Sequence, residues 1–193
     1  MRKDLGKKPA IFPMPVLMIA TYNEDGSANV MNAAWGMMLD MSKVALNLTE
    51  SHKTVKNIKR TKAFTVALAD SSHVVESDYL GIVSGNNVKD KFEKSGLHST
   101  KSNFVDAPII EEYPVTMECK FIEYQDDENG CGVIGEIVNV SVDEKVLDEK
   151  GNIAVEKINA IMYDPFNHGY YSVGEKVGQA FSDGEIIKIK GLD

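Results

Sequence analysis

Apolar and polar residues alternate along much of this chain, and turn residues separate the alternating runs. The clearest run is residues 114–124, where every second residue from Val115 to Phe121 is apolar. This period is typical of a strand with one buried face. Asp25 and Gly26 form a hairpin-turn signal between two other runs. The further predicted strands cover residues 16–22, 28–35, 43–48, 63–69, 131–142, 158–163, 169–173 and 186–189.

Four segments depart from this strand pattern. In the first, Ser51 is a suitable N-cap for a helix, and Val55 and Ile58 share one face of that helix. Gly96 is a suitable left-handed stop for the last helix. The segments are predicted helices at 51–60, 72–83 and 88–94 and an irregular loop at 98–107.

The number of short strands decides the predicted fold class. Many β runs joined by turns favour a closed barrel over an α/β sheet. We therefore expect a mostly β protein, a β-barrel with a few helices. A chain of 193 residues can bury one full hydrophobic core. We expect residues 1–193 to form a single domain in which residues 1–12 are an N-terminal arm.

Composition and charge narrow the function classes. The formal net charge is −8, which disfavours nucleic-acid binding because that binding relies on basic patches. No stretch reaches the roughly 18 apolar residues of a membrane span. Basic residues before the apolar run 11–20 resemble a signal peptide, but Pro13 and Pro15 interrupt that run. We expect a soluble cytoplasmic protein that binds small molecules, without nucleic-acid or membrane partners.

The common sequence motifs of metal, nucleotide and nucleophile sites do not identify a functional site in this chain. Residues 130–135 match GxGxxG, but they follow an acidic turn and lead into a β-branched strand, whereas a dinucleotide site requires a helix there. No Walker A sequence, HExxH motif or zinc spacing of Cys and His occurs. Reduced structural roles are favoured for Cys119 and Cys131, with a disulfide left open. We expect no metal site and no catalytic protein side chain.

Residues 47–57 are the sharper candidate site. A strand ends at Leu48, and hydroxyl and basic side chains follow before a helix begins. Free backbone N–H groups at a helix N-terminus favour an anion, and hydroxyl and ammonium donors would add to a phosphate site. The alternative is an ordinary capped surface helix. The donor side chains are Thr49, Ser51, His52, Lys53, Thr54 and Lys56.

A second candidate lies at the end of the predicted strand 28–35. Asn32, Ala33 and Ala34 precede Trp35, the only tryptophan of the chain. Small residues beside this indole could let a planar ring approach the backbone. The alternative is a core tryptophan with small packing neighbours.

The order of these motifs resembles the flavin reductase and flavoredoxin family. The resemblance is carried by the segments 32–35, 46–49 and 52–58, by Val83-Ser84-Gly85 followed by Asp90-Lys91-Phe92 and Gly96-Leu97, and by Tyr170-Tyr171. It implies an FMN-binding split barrel, a Greek-key-like six-stranded barrel. It also implies a homodimer with cofactor sites near the dimer interface.

The resemblance also implies roles for particular residues. Asn32, Ala33, Ala34 and Trp35 would line the isoalloxazine ring, and Asn47, Leu48 and Thr49 would contact the ring edge or ribityl chain. The phosphate would be bound by Ser51, His52, Lys53 and Thr54, with added charge from Lys91. His52 departs from the family, which often has arginine there, and histidine is only partly charged near pH 7.

Three functions follow as hypotheses. The first is an FMN-dependent NAD(P)H:flavin oxidoreductase, in which hydride passes to flavin N5 and no protein nucleophile is needed. The second is a flavoredoxin-like electron-transfer protein that keeps FMN bound and exchanges electrons with a redox partner protein. The third is a barrel that binds no flavin.

Overall fold

The computed structural model describes residues 1–126 and 132–189. Residues 1–13 lie outside every strand and helix and are solvent-exposed. The strands are β1 Met14–Pro15, β2 Leu17–Tyr22, β3 Ala28–Ala33, β4 Gly36–Met38, β5 Lys43–Leu46, β6 Ala63–Leu68, β7 Ser99–Lys101, β8 Pro108–Ile110, β9 Val115–Gln125, β10 Gly132–Val142, β11 Ile161–Asp164 and β12 Gly169–Ser172. The α-helices are α1 Lys53–Thr61, α2 Val74–Ile82, α3 Lys91–Ser95, α4 Val155–Ile158 and α5 Glu185–Ile189.

The main sheet is antiparallel and curls into a half-barrel. Its strand order is β3-β2-β6-β9-β10-β5-β4, so β3 and β4 lie at opposite edges. Only Ala34 and Trp35 connect these two strands. A two-residue link can span the edges only if the sheet curls until they approach each other. The mostly β split barrel is thereby confirmed, with seven strands in this sheet instead of the expected six.

The two faces of the curled sheet bury separate cores. On β2, Leu17 and Ile19 belong to the inner core, whereas Met18 and Ala20 belong to the outer core. Val55 and Ile58 of α1 pack in the inner core, so α1 covers one end of the barrel. The outer core is covered by α2, α3, β8 and β11. This alternation is the one that the apolar pattern of the strands predicts.

Glycines of the GxGxxG match allow close backbone contacts within the barrel, as expected for a strand. A Cβ atom on Gly135 of β10 would lie 2.3 Å from the Phe64 ring. Gly132 has φ +74°, and a Cβ there would lie 2.7 Å from the Leu46 carbonyl oxygen.

Gly130 and Cys131 fall outside the described residues, so the disulfide left open for Cys131 stays untested. Burial raises the pKa of the Cys119 thiol to about 12.

Three local predictions from the sequence are wrong. Residues 186–189 lie in α5 and not in a strand. The loop 98–107 contains β7, which pairs with β8. The strand expected at 158–163 starts only at Ile161, because α4 ends at Ile158 and Asn159 adopts a left-handed conformation with φ +53°. Within the described residues, no helix has the length and apolar character to cross a membrane.

Candidate functional site

The N-terminus of α1 opens without a side-chain cap. His52 is the N-cap residue, with extended φ and ψ of −62° and 137°, and its side chain makes no capping hydrogen bond to the backbone of the first turn. The expected N-cap, Ser51, lies one residue too early, so that prediction is wrong. The backbone N–H groups of the first turn therefore keep donor capacity for a ligand. Anions are favoured at such a terminus.

Buried amide and hydroxyl groups fix α1 against the β2–β3 hairpin. The Asn29 side-chain amide of β3 donates to Thr54 Oγ1 at 2.9 Å. The Asn57 amide donates to Thr21 Oγ1 at 3.1 Å and to Asn23 Oδ1 at 3.0 Å. Thr54 and Asn57 are almost fully buried. These bonds set the direction in which the open end of α1 points.

A cavity of about 220 Å³, called here the anion cavity, lies at this helix end. Lys53 and Thr54 of α1 line it on one side, and Ser84 and Gly85 line it on the other. The half-buried Lys53 makes no side-chain hydrogen bond or ion pair with the described residues. Its ammonium group is therefore available to a ligand.

Lys91 supplies a second cation to the anion cavity. Its side chain is 3% exposed, and its Nζ donates to the carbonyl oxygens of Leu80 and Val83, both at 2.9 Å. Because an ammonium group has three donors, one N–H remains for a ligand. Burial lowers the pKa of Lys91 to about 8, which keeps most of the group charged near neutral pH.

His52 lies between the anion cavity and a larger neighbour. Its Nδ1 atom is buried and has no hydrogen-bond partner among the described residues. Burial, followed by the charge of Lys91, lowers the pKa of the imidazole. A buried polar atom without a partner is costly, so this nitrogen marks a place where a ligand would be stabilised.

The larger cavity, called here the ring cavity, has a volume of about 360 Å³. It shares Met31, His52, Gly81 and Ile82 with the anion cavity, so the two spaces lie side by side. The end of β3, the link that follows it, and the end of β5 supply most of the expected ring contacts. These residues are Asn32, Ala33, Ala34, Trp35, Asn47 and Leu48.

Three aromatic side chains form one wall of the ring cavity. The ring centroid of Tyr163 lies 6.2 Å from that of Trp35 and 6.2 Å from that of Tyr170. Trp35 is 52% exposed, so the alternative of a core tryptophan is wrong. Trp35, Tyr163 and Tyr170 all line the cavity. The wall offers flat apolar surface to a planar ring.

Hydrogen bonds hold the polar groups of the ring cavity in place. The Asn32 amide donates to the Ser77 carbonyl oxygen at 2.9 Å. The Tyr170 hydroxyl donates to Asp78 Oδ1 at 2.8 Å, and burial together with this carboxylate raises the pKa of Tyr170 to about 12. The Tyr163 hydroxyl lies 2.6 Å from Nδ1 of His168.

The structure brings most of the predicted site residues together. Thr49 and Ser51 are exposed and line neither cavity. The cofactor contacts themselves stay a prediction. The ten residues placed at the cavities are Asn32, Ala33, Ala34, Trp35, Asn47, Leu48, His52, Lys53, Thr54 and Lys91.

Sequence reasoning missed several wall residues that are distant in the chain. Asp78 and Gly81 come from α2, and Tyr163 comes from β11. One signal was present for the tyrosines. Tyr163 and Tyr170 flank a turn at positions that pair across a hairpin and so lie on one face.

The curled antiparallel sheet is a split barrel. It carries the anion cavity at the N-terminus of α1 and, beside it, the ring cavity with its aromatic wall. The flavin reductase-like domain model matches residues 10–169, and the chain belongs to this family. The flavoredoxin of Desulfovibrio vulgaris (Miyazaki F) is similar at 34% identity and TM-score 0.90, over 95% of this chain and 100% of that chain.

Two further solved structures have the same fold. A flavoredoxin from Methanosarcina acetivorans is 24% identical with a TM-score of 0.86, over 97% of this chain and 99% of that chain. An FMN-binding domain of a flavin reductase-like enzyme from Shewanella baltica is 20% identical with a TM-score of 0.75, over 86% and 88%.

Proposed function

We propose that this protein is an FMN-binding oxidoreductase that takes reducing equivalents from NAD(P)H, in the manner of a flavin reductase. The observation that carries the proposal is the adjacency of the two cavities, which share lining residues. An uncapped helix end with an unpaired lysine lies beside an aromatic-walled space. This arrangement matches a ligand with a phosphate at one end and a flat ring at the other.

The phosphate would be held in the anion cavity. Lys53, Thr54 and Lys91 line this one small volume, and the first-turn N–H groups of α1 and the third N–H of Lys91 are donors that remain for a ligand. The Thr54 hydroxyl accepts from Asn29 and keeps its own proton as a further donor. A dianionic phosphate would satisfy all of these groups, since charge-assisted hydrogen bonds are the strong ones.

The isoalloxazine ring would lie in the ring cavity. Ala33 and Ala34 leave room for close approach to the backbone, and Trp35 covers the ring edge. The buried Nδ1 of His52 would gain a partner on the ribityl chain or the ring. When bound, FMN would supply a ring nitrogen, N5, that accepts a hydride from NAD(P)H. The chain's own residues would bind and orient FMN, and they would partly exclude water from it.

A second candidate function is electron transfer with a redox partner protein. Similarity to the flavoredoxin of Desulfovibrio vulgaris (Miyazaki F) over nearly the whole of both chains favours it. The two candidates differ in whether free flavin is reduced. Steady NAD(P)H oxidation that rises with added free FMN supports the reductase. Reduction of the bound flavin only by a partner protein supports the carrier.

The phosphate site can be tested by comparing FMN with riboflavin, which has the same ring and no phosphate. Trp35 is the only tryptophan and lines the ring cavity, so quenching of its fluorescence reports binding of either ligand. Lys53→Ala should weaken FMN binding about tenfold or more and leave riboflavin binding near the wild-type value.

The matched control is Lys56→Ala on the same helix. Lys56 is exposed, donates to Asn86 Oδ1 at 3.1 Å and lines neither cavity. It should retain wild-type affinity for both ligands. If Lys53→Ala weakened both ligands equally, the phosphate would lie elsewhere. If the wild type bound neither ligand, the proposal of a flavin site would fail.

We also propose a homodimer and a cytoplasmic location, as expected from the family resemblance and the composition. Support for the dimer comes from an exposed apolar patch on the β4–β5 hairpin beside the ring cavity. Apolar patches of this kind on a soluble chain often mark interaction surfaces. The patch consists of Trp35, Met37, Met38, Leu39 and Met41.

A further inference from the structure

The two tyrosines of the cavity wall differ in what binds their hydroxyl groups. Tyr163 and Tyr170 are cross-strand partners on one face of β11–β12. The Tyr170 hydroxyl donates its proton to the Asp78 carboxylate at 2.8 Å. Tyr163 bonds to no carboxylate in the described chain; its partner is an imidazole. Tyr163 is therefore the wall tyrosine whose proton is not engaged by a carboxylate.

His168 connects Tyr163 to solvent. The imidazole is exposed, and its ring lies at an angle of 31° to the Tyr163 ring, with centroids 6.1 Å apart. The backbone of His168 is left-handed, with φ +60°, a conformation that residues other than glycine rarely adopt. Its N–H donates to the Asp164 carbonyl oxygen at 2.9 Å, which closes the turn. The turn thus holds a solvent-accessible base against the cavity wall.

Protonation of His168 changes the direction of the hydrogen bond. A neutral imidazole accepts the Tyr163 proton at Nδ1, whereas an imidazolium donates from Nδ1 to the phenol oxygen. In the second state the Tyr163 proton is free to bond to a ligand in the cavity. When that proton leaves, the proton of His168 replaces it on the phenol oxygen, and water then reprotonates His168.

The space beside the ring cavity suits an apolar acceptor. A neighbouring cavity of about 400 Å³ shares Ala34, Trp35 and Asn47 with the ring cavity. Its remaining lining is almost entirely apolar. A flat hydrocarbon ring system can therefore lie next to Trp35 without leaving charged groups buried, with its carbonyl end extending past the shared residues into the ring cavity that Tyr163 lines. The lining residues unique to it are Ile11, Pro13, Met14, Pro15, Gly36, Met37 and Ala45.

We propose that Tyr163 donates a proton to the carbonyl oxygen of a quinone-class acceptor, with His168 as the positioning residue that restores that proton. The inference rests on the proposed function, since NAD(P)H is the reductant. Quinone, NAD(P)H and one proton give hydroquinone and NAD(P)⁺. Both electrons and one hydrogen leave NAD(P)H as a hydride. The second hydrogen comes from Tyr163, whose O–H bond breaks as an O–H bond forms on the quinone oxygen.

The first test compares two acceptors on the FMN-loaded protein. Reduction of 1,4-naphthoquinone consumes protons, whereas ferricyanide takes one electron and no proton. Tyr163→Phe should lower kcat for naphthoquinone about 100-fold more than kcat for ferricyanide, the usual range of general-acid catalysis. His168→Gln should lower the same ratio about tenfold. The control is Tyr171→Phe, whose side chain lies outside both cavities and should leave the ratio unchanged.

The second test measures binding without turnover. Acetophenone and ethylbenzene have nearly the same shape, but only acetophenone has a carbonyl oxygen. Their dissociation constants are read from the shift of the flavin absorption band in the oxidised, FMN-loaded protein. Tyr163→Phe should weaken acetophenone about fivefold, as for the loss of one hydrogen bond, and leave ethylbenzene unchanged.

The outcomes separate this inference from the proposed function. An unchanged acceptor ratio in Tyr163→Phe, or equal weakening of both probes, would overturn the proton role of Tyr163. If the wild type bound FMN but reduced neither acceptor from NAD(P)H, the proposed electron donor would be wrong. The acetophenone comparison would then still decide whether Tyr163 donates to a carbonyl ligand.

Discussion

At the residue scale, two glycines allow α2 and the loop after it to approach β3 closely. A Cβ atom on Gly81 would lie 2.2 Å from the Asn32 Oδ1 atom, and one on Gly85 would lie 2.4 Å from Asn29 Oδ1. Both asparagines are hydrogen-bonded and cannot move freely. The absence of side chains at these glycines therefore keeps both cavities in their present shape.

Gly81→Ala tests this close approach. The added methyl group must displace the Asn32 amide into the ring cavity, so FMN affinity should fall about tenfold and the free energy of unfolding by about 1–3 kcal/mol. Fluorescence titration and urea unfolding measure the two effects. Gly174→Ala is the control, because its Cβ would meet no atom within 4 Å. Identical behaviour of the two variants would contradict the close contact.

The buried ammonium of Lys91 predicts a pH dependence of stability. Its pKa is lowered from 10.5 to about 8, because burial disfavours the charge. Between these values the folded chain has lost a proton that the unfolded chain keeps, so folding stability should rise with pH. The unfolding free energy of the apo wild type, minus that of Lys91→Met, should therefore increase from pH 8 to 10.5.

The exposed Lys89 provides the comparison for this experiment. Lys89 lies two residues before Lys91 and is solvent-exposed. The difference for Lys91→Met should rise more steeply over the same pH range than the difference between wild type and Lys89→Met. Equal slopes for the two variants would show that the buried lysine keeps its ordinary affinity for protons.

At the scale of elements, α1 links the hairpin β2–β3 to the candidate phosphate site. Its inward face contributes Val55 and Ile58 to the inner core, and its polar buried residues bond to the hairpin. Helix packing and ligand binding thus depend on the same nine residues. A helix that tilted would carry its open N-terminus out of the anion cavity.

Asn57→Ala should reveal this dependence. The change removes the bonds to Thr21 and Asn23 and leaves the buried Thr21 Oγ1 with only its longer bonds to Asn29, which costs about 2 kcal/mol of unfolding free energy. Relative to wild type, the variant should lose more affinity for FMN than for riboflavin, because the helix end shifts. Chemical denaturation and ligand titration give the values, and wild-type binding of both ligands would refute the positioning role.

Local patterns predicted some of these elements and missed others for physical reasons. The Asp25-Gly26 turn and α1 were predictable, because Gly26 takes φ +84° and the helix has one apolar face. Residues 186–189 have the apolar side chains of a strand, but they lie in α5. A strand needs a neighbouring strand for its hydrogen bonds, and the local apolar pattern does not show whether one is present. The contact of Tyr163 with Trp35 in the cavity wall depends on long-range topology, which no local pattern contains.

At the scale of the whole molecule, the exposed patch on the β4–β5 hairpin predicts association of two copies. Met41 lies in the turn between β4 and β5, is 98% exposed and lines none of the three cavities described above. Met41→Glu would place a charge in an apolar interface, so the proposed dimer should dissociate. Sedimentation of wild type and variant measures this, with Glu24→Gln on the distant hairpin turn as a control. A monomeric wild type would contradict the proposed dimer.

The two-residue link between β3 and β4 has a consequence for biosynthesis. These strands are neighbours in sequence, yet the sheet that lies between them includes β10, which ends at Val142. Because the link forms part of the ring cavity, that cavity cannot form in a nascent chain before β10 has left the ribosome, and its wall is complete only when Tyr163 and Tyr170 follow. Cofactor loading would then be a post-translational event, and bound flavin should slow unfolding while leaving the folding rate unchanged.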